Sequence, residues 1–404
     1  MQEVLAALSG QGPAPHERVL TPPPQLDGRA HPGPPDAKGV YGTPYADHVN
    51  STNFTVNWAA GVTDSATADT VSQAMEEAWT ALVRQQGWTP PVSSDQFLVW
   101  VILDTGISGT GLTTEYFTDD YPDGYPVIYI NPAYASFPEF FRSLCAHEFA
   151  HSLQFALRDY YRGTEESWYW EASAEWQAEL ALPDEDAYGA QSQYYSDAPD
   201  ERYSSTTNYH QYGMFLLNAY IEEHITGDDG LHEIWDYAST HGDSDWDVVL
   251  SGALETDVEA IWAGFNVTMA TGDLREWHLY RRPTREGDLE DGLTGSLPYL
   301  GTHYYDVREA ATVQAEGEVL LAGPDGFGPE VAVQRGDTLA VLGVNQTETS
   351  YTLLYVVPED TDDGGPNTTP LPDDDSKTCA AGPGPSGVSA ALLALALLRR
   401  RRAP

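Results

Sequence analysis

The sequence predicts an α+β chain: a small sheet with one long helix, then a mainly helical half, then a small all-β domain. Three observations carry this. Phe54, Val56 and Trp58 alternate as in a half-buried strand, and Ala68, Val71, Met75, Ala78 and Leu82 then recur at helical spacing. Helical patterns follow one another from Pro138 to Met269. From about Leu297 the chain changes to short β-prone runs broken by Gly and Pro.

Composition narrows the function classes. Of 404 residues, 62 are acidic and 19 basic, a net charge of −43. A phosphate backbone is held by a basic surface, so no nucleic-acid partner is expected. Hydrophobic residues make up 41% and aromatics 11%, enough to bury a core, which excludes wholesale disorder. Two cysteines, Cys145 and Cys379, offer no disulfide framework. Lysine occurs only at Lys38 and Lys377, and the acids left over solvate the surface.

Taken in order, residues 1–40 are Pro-rich without apolar periodicity and read as a disordered lead-in. The first folded domain spans 41–285. It opens with the Phe54 strand and the helix from Ala68, which Gly87 stops, followed by a strand at Phe97–Leu103. After a Gly-rich loop, Val127–Ile130 gives a third short strand ending at Asn131 and Pro132. Ser136 stands three residues before Glu139, a capping-box spacing, and Pro138 suits a first turn, so a helix is predicted from there to about Arg158. Further helices are predicted around Trp168–Leu182, Tyr212–Ile225, Leu231–Ser239 and Val258–Met269.

A β-sandwich-like domain is predicted over 286–358, from the runs Thr312–Val313, Val319–Leu321, Val331–Val333, Leu339–Val344 and Tyr351–Val357. An acidic flexible linker occupies 359–378. The segment 379–404 holds Cys379, the apolar run Gly387–Leu398 and the arginines Arg399 to Arg402. As a helix the apolar run would extend about 18 Å against a hydrocarbon core of about 30 Å. The arginines would stay on the cytoplasmic side, with everything N-terminal to them outside.

The chemistry gathers at His147-Glu148-Phe149-Ala150-His151. Two imidazoles at i and i+4 share one helix face, within reach of one metal ion, with a carboxylate beside them. They fall on the stripe of Phe140 and Leu144, where uncompensated imidazole would be costly and a metal supplies the compensation. A zinc site that hydrolyses needs a third protein ligand and an open position for water. Glu171, 20 residues beyond His151 in Trp168-Tyr169-Trp170-Glu171-Ala172-Ser173-Ala174-Glu175-Trp176, is the candidate ligand. Glu175, one turn on, can reach a ring nitrogen and fix its tautomer. Glu165 and Glu166 are rival ligands in a Gly-Thr loop. Cys145 reads as a packed small hydrophobe. Asp243, Asp245 and Asp247 resemble the start of a calcium loop but lack its Gly and terminal Glu, and read as helix-start acids.

His147-Glu148-x-x-His151 followed by Glu171-Ala-x-x-Glu175 resembles the gluzincin zinc peptidases, the thermolysin-like group. The Trp-x-x-Glu-Ala-x-Ala-Glu-Trp pattern and the Cys379–Arg402 tail also resemble the myxobacterial metalloproteases bearing the MYXO-CTERM sorting tail. The likeness covers roughly residues 41–280 and the tail, and Glu175 stands where thermolysin-like enzymes carry aspartate. It implies a zincin-like catalytic domain, a Zn²⁺ cofactor on His147, His151 and Glu171, and a peptide or protein substrate. Glu148 would be the general base. The oxyanion donor would be a Tyr or His of a later helix, from Tyr209, His210 and Tyr212, with Tyr212 favoured. It also implies that the strand Val127–Ile130 is an edge that pairs with extended substrate.

Cys379 would be the residue processed and attached by envelope sorting machinery. The protein would then be exported to the cell surface or outer membrane, or released, and a leader would lie upstream of Met1. A second reading, from another class, is a catalytically silent zincin scaffold that binds a surface partner through its β domain.

Overall fold

The structure, a computed structural model, describes residues 45, 47–91, 98–107, 109–118, 121–157, 164–241 and 245–356. The class is α+β. The chain divides into two compact units: residues up to Ile261 with Gly272–Thr284, and Trp262–Thr271 with the residues from Arg285 onward. The Pro-rich lead-in, the acidic linker and the tail with Cys379 lie outside the described residues. No helix among the described residues is long and apolar enough to cross a membrane.

The first unit contains a five-stranded sheet of β1 (Asp47–Asn50), β2 (Phe54–Trp58), β3 (Val99–Leu103), β4 (Gly111–Thr118) and β5 (Tyr121–Ile130), ordered β1-β2-β3-β5-β4. β2, β3 and β5 run parallel, and β1 and β4 flank them antiparallel. Two expectations are corrected here. The supposed Gly-rich loop contains β4, which forms one edge of the sheet (β1 forms the other), whereas Val127–Ile130 lies inside it between β3 and β4. The β2 alternation also misleads, because all five of its residues are buried, Thr55 and Asn57 included. The buried Asn57 amide is satisfied by donating to the Thr55 carbonyl at 3.0 Å.

Helix α1 (Ser65–Ala78) is capped by Asp64, whose carboxylate accepts from the Thr67 N–H at 2.9 Å, and continues as wider turns over Trp79–Gln85. Helix α2 (Pro138–Leu157) carries the histidine motif and packs against β4 and β5. Its first helical bond runs from Phe141 N–H to Phe137 O, so Phe137 occupies the capping position predicted for Ser136, which lies in a preceding 3₁₀ turn. Phe54 of β2, Trp79 and Phe149 of α2 meet with ring centroids 5.3–5.8 Å apart, which pins the motif helix to the sheet.

Helix α3 (Thr164–Ala181) lies alongside α2 and starts a turn earlier than its aromatic run suggests. Glu165 and Glu166 therefore belong to a helix and not to a loop. Short helices α4 (Ser192–Ser196), α5 (His210–Gly213) and α6 (Phe215–Ile221) follow, with a wide turn over Glu222–Thr226 where one helix is predicted to run from Tyr212. Then come α7 (Gly230–Thr240), α8 (Trp246–Ala253) and α9 (Val258–Thr271). Asp245 precedes α8 and Asp247 sits in its first turn, in keeping with helix-start acids, and Asp243 lies outside the described residues.

The second unit is a sandwich of two antiparallel-rich sheets. One holds β6 (Gly287–Asp288), β8 (Thr302–Asp306), β10 (Val319–Gly323), β11 (Gly326–Gly328) and β13 (Thr338–Gly343). The other holds β7 (Leu293–Leu297), β9 (Ala311–Glu316), β12 (Glu330–Val333) and β14 (Thr349–Val356). Leu321, Leu339 and Val341 from the first face Val313, Val331 and Leu353 from the second in one apolar core. Within this unit Tyr304 of β8 donates to the Asn266 side chain of α9.

Candidate metal centre

Every residue of α2 from Ser143 to Phe155 is buried. A helix buried on all faces must satisfy its polar side chains within the protein: His147, His151 and Gln154 do so with one another and with α3, and Glu148 with Thr113 of β4. The i, i+4 spacing stacks the two imidazoles edge to face with centroids 4.7 Å apart. Glu171 reaches them from α3. His147 Nε2 lies 3.1 Å from His151 Nε2 and 3.2 Å from Glu171 Oε2, and His151 Nε2 lies 3.4 Å from Glu171 Oε2.

Tetrahedral metal bonds of about 2.0–2.1 Å place neighbouring donor atoms roughly 3.3–3.4 Å apart, so the three separations suit one ion. Three buried donors of this kind, gathered within 4.8 Å, can hold a metal. The outer ring nitrogens are already engaged. His151 Nδ1 lies 2.8 Å from Gln154 Oε1, which holds the Nδ1–H tautomer and turns the Nε2 lone pair inward. His147 Nδ1 lies 3.3 Å from Glu175 Oε1, to which Gln191 also donates at 3.4 Å. Burial pulls the His147 imidazole down, and the Glu175 and Glu171 carboxylates overcome it, holding its pKa well above the ordinary value. A field that favours an imidazolium favours a cation between the rings.

Glu148 is fully buried beside this group. The Thr113 hydroxyl of β4 lies 2.8 Å from Glu148 Oε2 and 2.7 Å from the Glu148 carbonyl oxygen, and its single proton serves one of them at a time. Gly111, at the start of the same strand, leaves space that the carboxylate fills.

A cavity opens against His147 between α2 and the α4–α5 segment, with Phe140, Leu144, Tyr194, Tyr209 and Tyr212 among its lining. Tyr212 and His147 have ring centroids 6.1 Å apart. Of the three predicted oxyanion donors, Tyr209 and Tyr212 line this cavity and His210 does not. Burial pulls the His210 pKa down to about 4, and its ring packs edge-on against Tyr195.

Cys145 is fully buried and its thiol is pushed far up by burial, as suits a packed hydrophobe. The side chains of Glu165 and Glu166, like Cys379, fall outside the description. Sequence reading missed Gln154, Thr113 and Gly111. Gln154 could have been found, since it follows His151 by three residues on the same helix face, and its amide donates across to Trp170 O at 3.1 Å and Ser173 Oγ at 3.0 Å. Thr113 and Gly111 carry no such signal, because 35 residues separate Thr113 from Glu148.

Residues 38–245, just over half of the chain, match a family of unknown function, DUF6055. No curated protein matches the chain.

Proposed function

The chain belongs to DUF6055, and we propose that its buried His–His–Glu centre makes it a zinc-dependent peptidase with Glu148 as general base. The observation that carries this reading is the set of 3.1–3.4 Å separations among His147, His151 and Glu171, with a buried carboxylate on the next residue. Zinc held there would supply a Lewis acid that brings the pKa of water toward ~7 and polarises a carbonyl.

The chain's own residues do the rest. Glu148, kept out of the ligand set and held by Thr113, accepts the proton of the attacking water and returns it to the leaving amine. Tyr212 donates a hydrogen bond to the carbonyl oxygen as it gains negative charge. Gln154 and Glu175 hold the two imidazoles in the tautomer that presents Nε2. The edge strand β4, in place of the strand assigned from sequence, offers unpaired backbone groups to an extended peptide, which would make cleavage tolerant of sequence. The Cys379–Arg402 tail supports an exported, surface-attached or released enzyme.

The test compares the full chain, loaded with zinc, with Glu148→Gln on a peptide library. Cleavage by the wild type that falls by about 10²–10⁴-fold in the variant, with one zinc per chain in both, is the expected result. Zinc in both and cleavage by neither would favour the silent scaffold that binds a partner through its β domain.

A further inference from the structure

The cavity against His147 has a volume of about 40 Å³. An apolar cavity that takes a benzene ring is about 150 Å³, several times this volume. Its size is fixed by rigid walls. Leu144 and Phe140 stand one and two turns before His147 on α2, a helix pinned to the sheet. Opposite them runs a file of rings, with Tyr194 and Tyr209 centroids 5.4 Å apart and Tyr209 and Tyr212 centroids 6.3 Å apart.

That file has little freedom to retreat. Asn208 and Tyr209 both take left-handed backbone, at φ 51° and 66°; for a bulky residue such as Tyr209 this conformation is strained and persists only where the surroundings impose it. Gly213 of α5 lies so close to α4 that a Cβ on it would fall 2.2 Å from Tyr195 N, so the helices carrying Tyr212 and Tyr194 are pressed together. Strain and close packing together hold the tyrosines at the cavity.

Resting on the peptidase reading, we propose that this cavity receives the substrate side chain beside the scissile bond and selects glycine, alanine or serine over leucine and aromatic residues. Phe140 and Tyr209 set the limit. Ser143 and Gln191, also in the lining, give a small hydroxyl a polar partner.

The test uses zinc-loaded full-length protein and peptides that differ only at the residues flanking the cleaved bond. The wild type is expected to favour alanine over leucine by at least tenfold in kcat/KM. Two variants enlarge the cavity by separate routes: Phe140→Ala, and Tyr209→Gly, which keeps the left-handed backbone while removing the ring. Each should shift the ratio toward leucine and phenylalanine at unchanged zinc content. Glu148-dependent cleavage that favours large residues in the wild type, or a ratio that neither variant moves, overturns the subsite and leaves the peptidase reading standing. Cleavage by no protein at one zinc per chain overturns both.

Discussion

Gly111 lies so close to Glu148 that a Cβ on the glycine would fall 2.4 Å from the carboxylate Oε1. The backbone of an edge strand thus forms one wall of the space that holds the proposed base, and Thr113, two residues on, holds the other oxygen. A misplacement of the base by about 1 Å is enough to cost on the order of 10²-fold in rate. We therefore expect Gly111→Ala to displace the Glu148 carboxylate and lower kcat by roughly that factor. Zinc content, measured by atomic emission, should stay at one per chain, because no ligand moves. Loss of zinc along with activity would show that the strand supports the ligands instead.

Gln154 links the two helices of the metal centre, accepting from His151 Nδ1 and donating to α3. Gln154→Leu should leave the imidazole free to change tautomer and weaken metal affinity by about 10–100-fold. A competition titration against a chelator reads this directly, and an unchanged affinity would remove Gln154 from the account.

His210 provides a pH signature apart from the metal. Its folded-state pKa is pulled down to about 4 by burial, below the ordinary value of about 6.5. The unfolded chain binds the extra proton between these values, so stability rises with pH across that window and is lost as pH falls from 6.5 towards 4. A shift of this size corresponds to about 3 kcal/mol. His210→Leu should lack this part of the acid destabilisation. Urea unfolding at pH 7 and pH 4, with metal-free wild type and variant side by side, isolates it, since every shared group cancels in the difference. Equal pH dependence of the two proteins would refute the assignment.

The α+β class, the long helix bearing His147, Glu148 and His151, and the second helix with Glu171 and Glu175 could all be read from the residue pattern. These were legible because helical spacing fixes which side chains share a face, and each pair lies four residues apart on its own continuous helix. The apolar runs of the sandwich were legible for the same local reason. Which side chains meet across elements is set by the three-dimensional fold. The position of β4 at the edge, the burial of β2 on both faces, the approach of Gly111 and Thr113 to Glu148, and the closing of the His147 cavity by Tyr194 and Tyr209 all depend on contacts between segments distant in sequence. Strand order and packing set those contacts, and no local periodicity encodes which strand finds which neighbour.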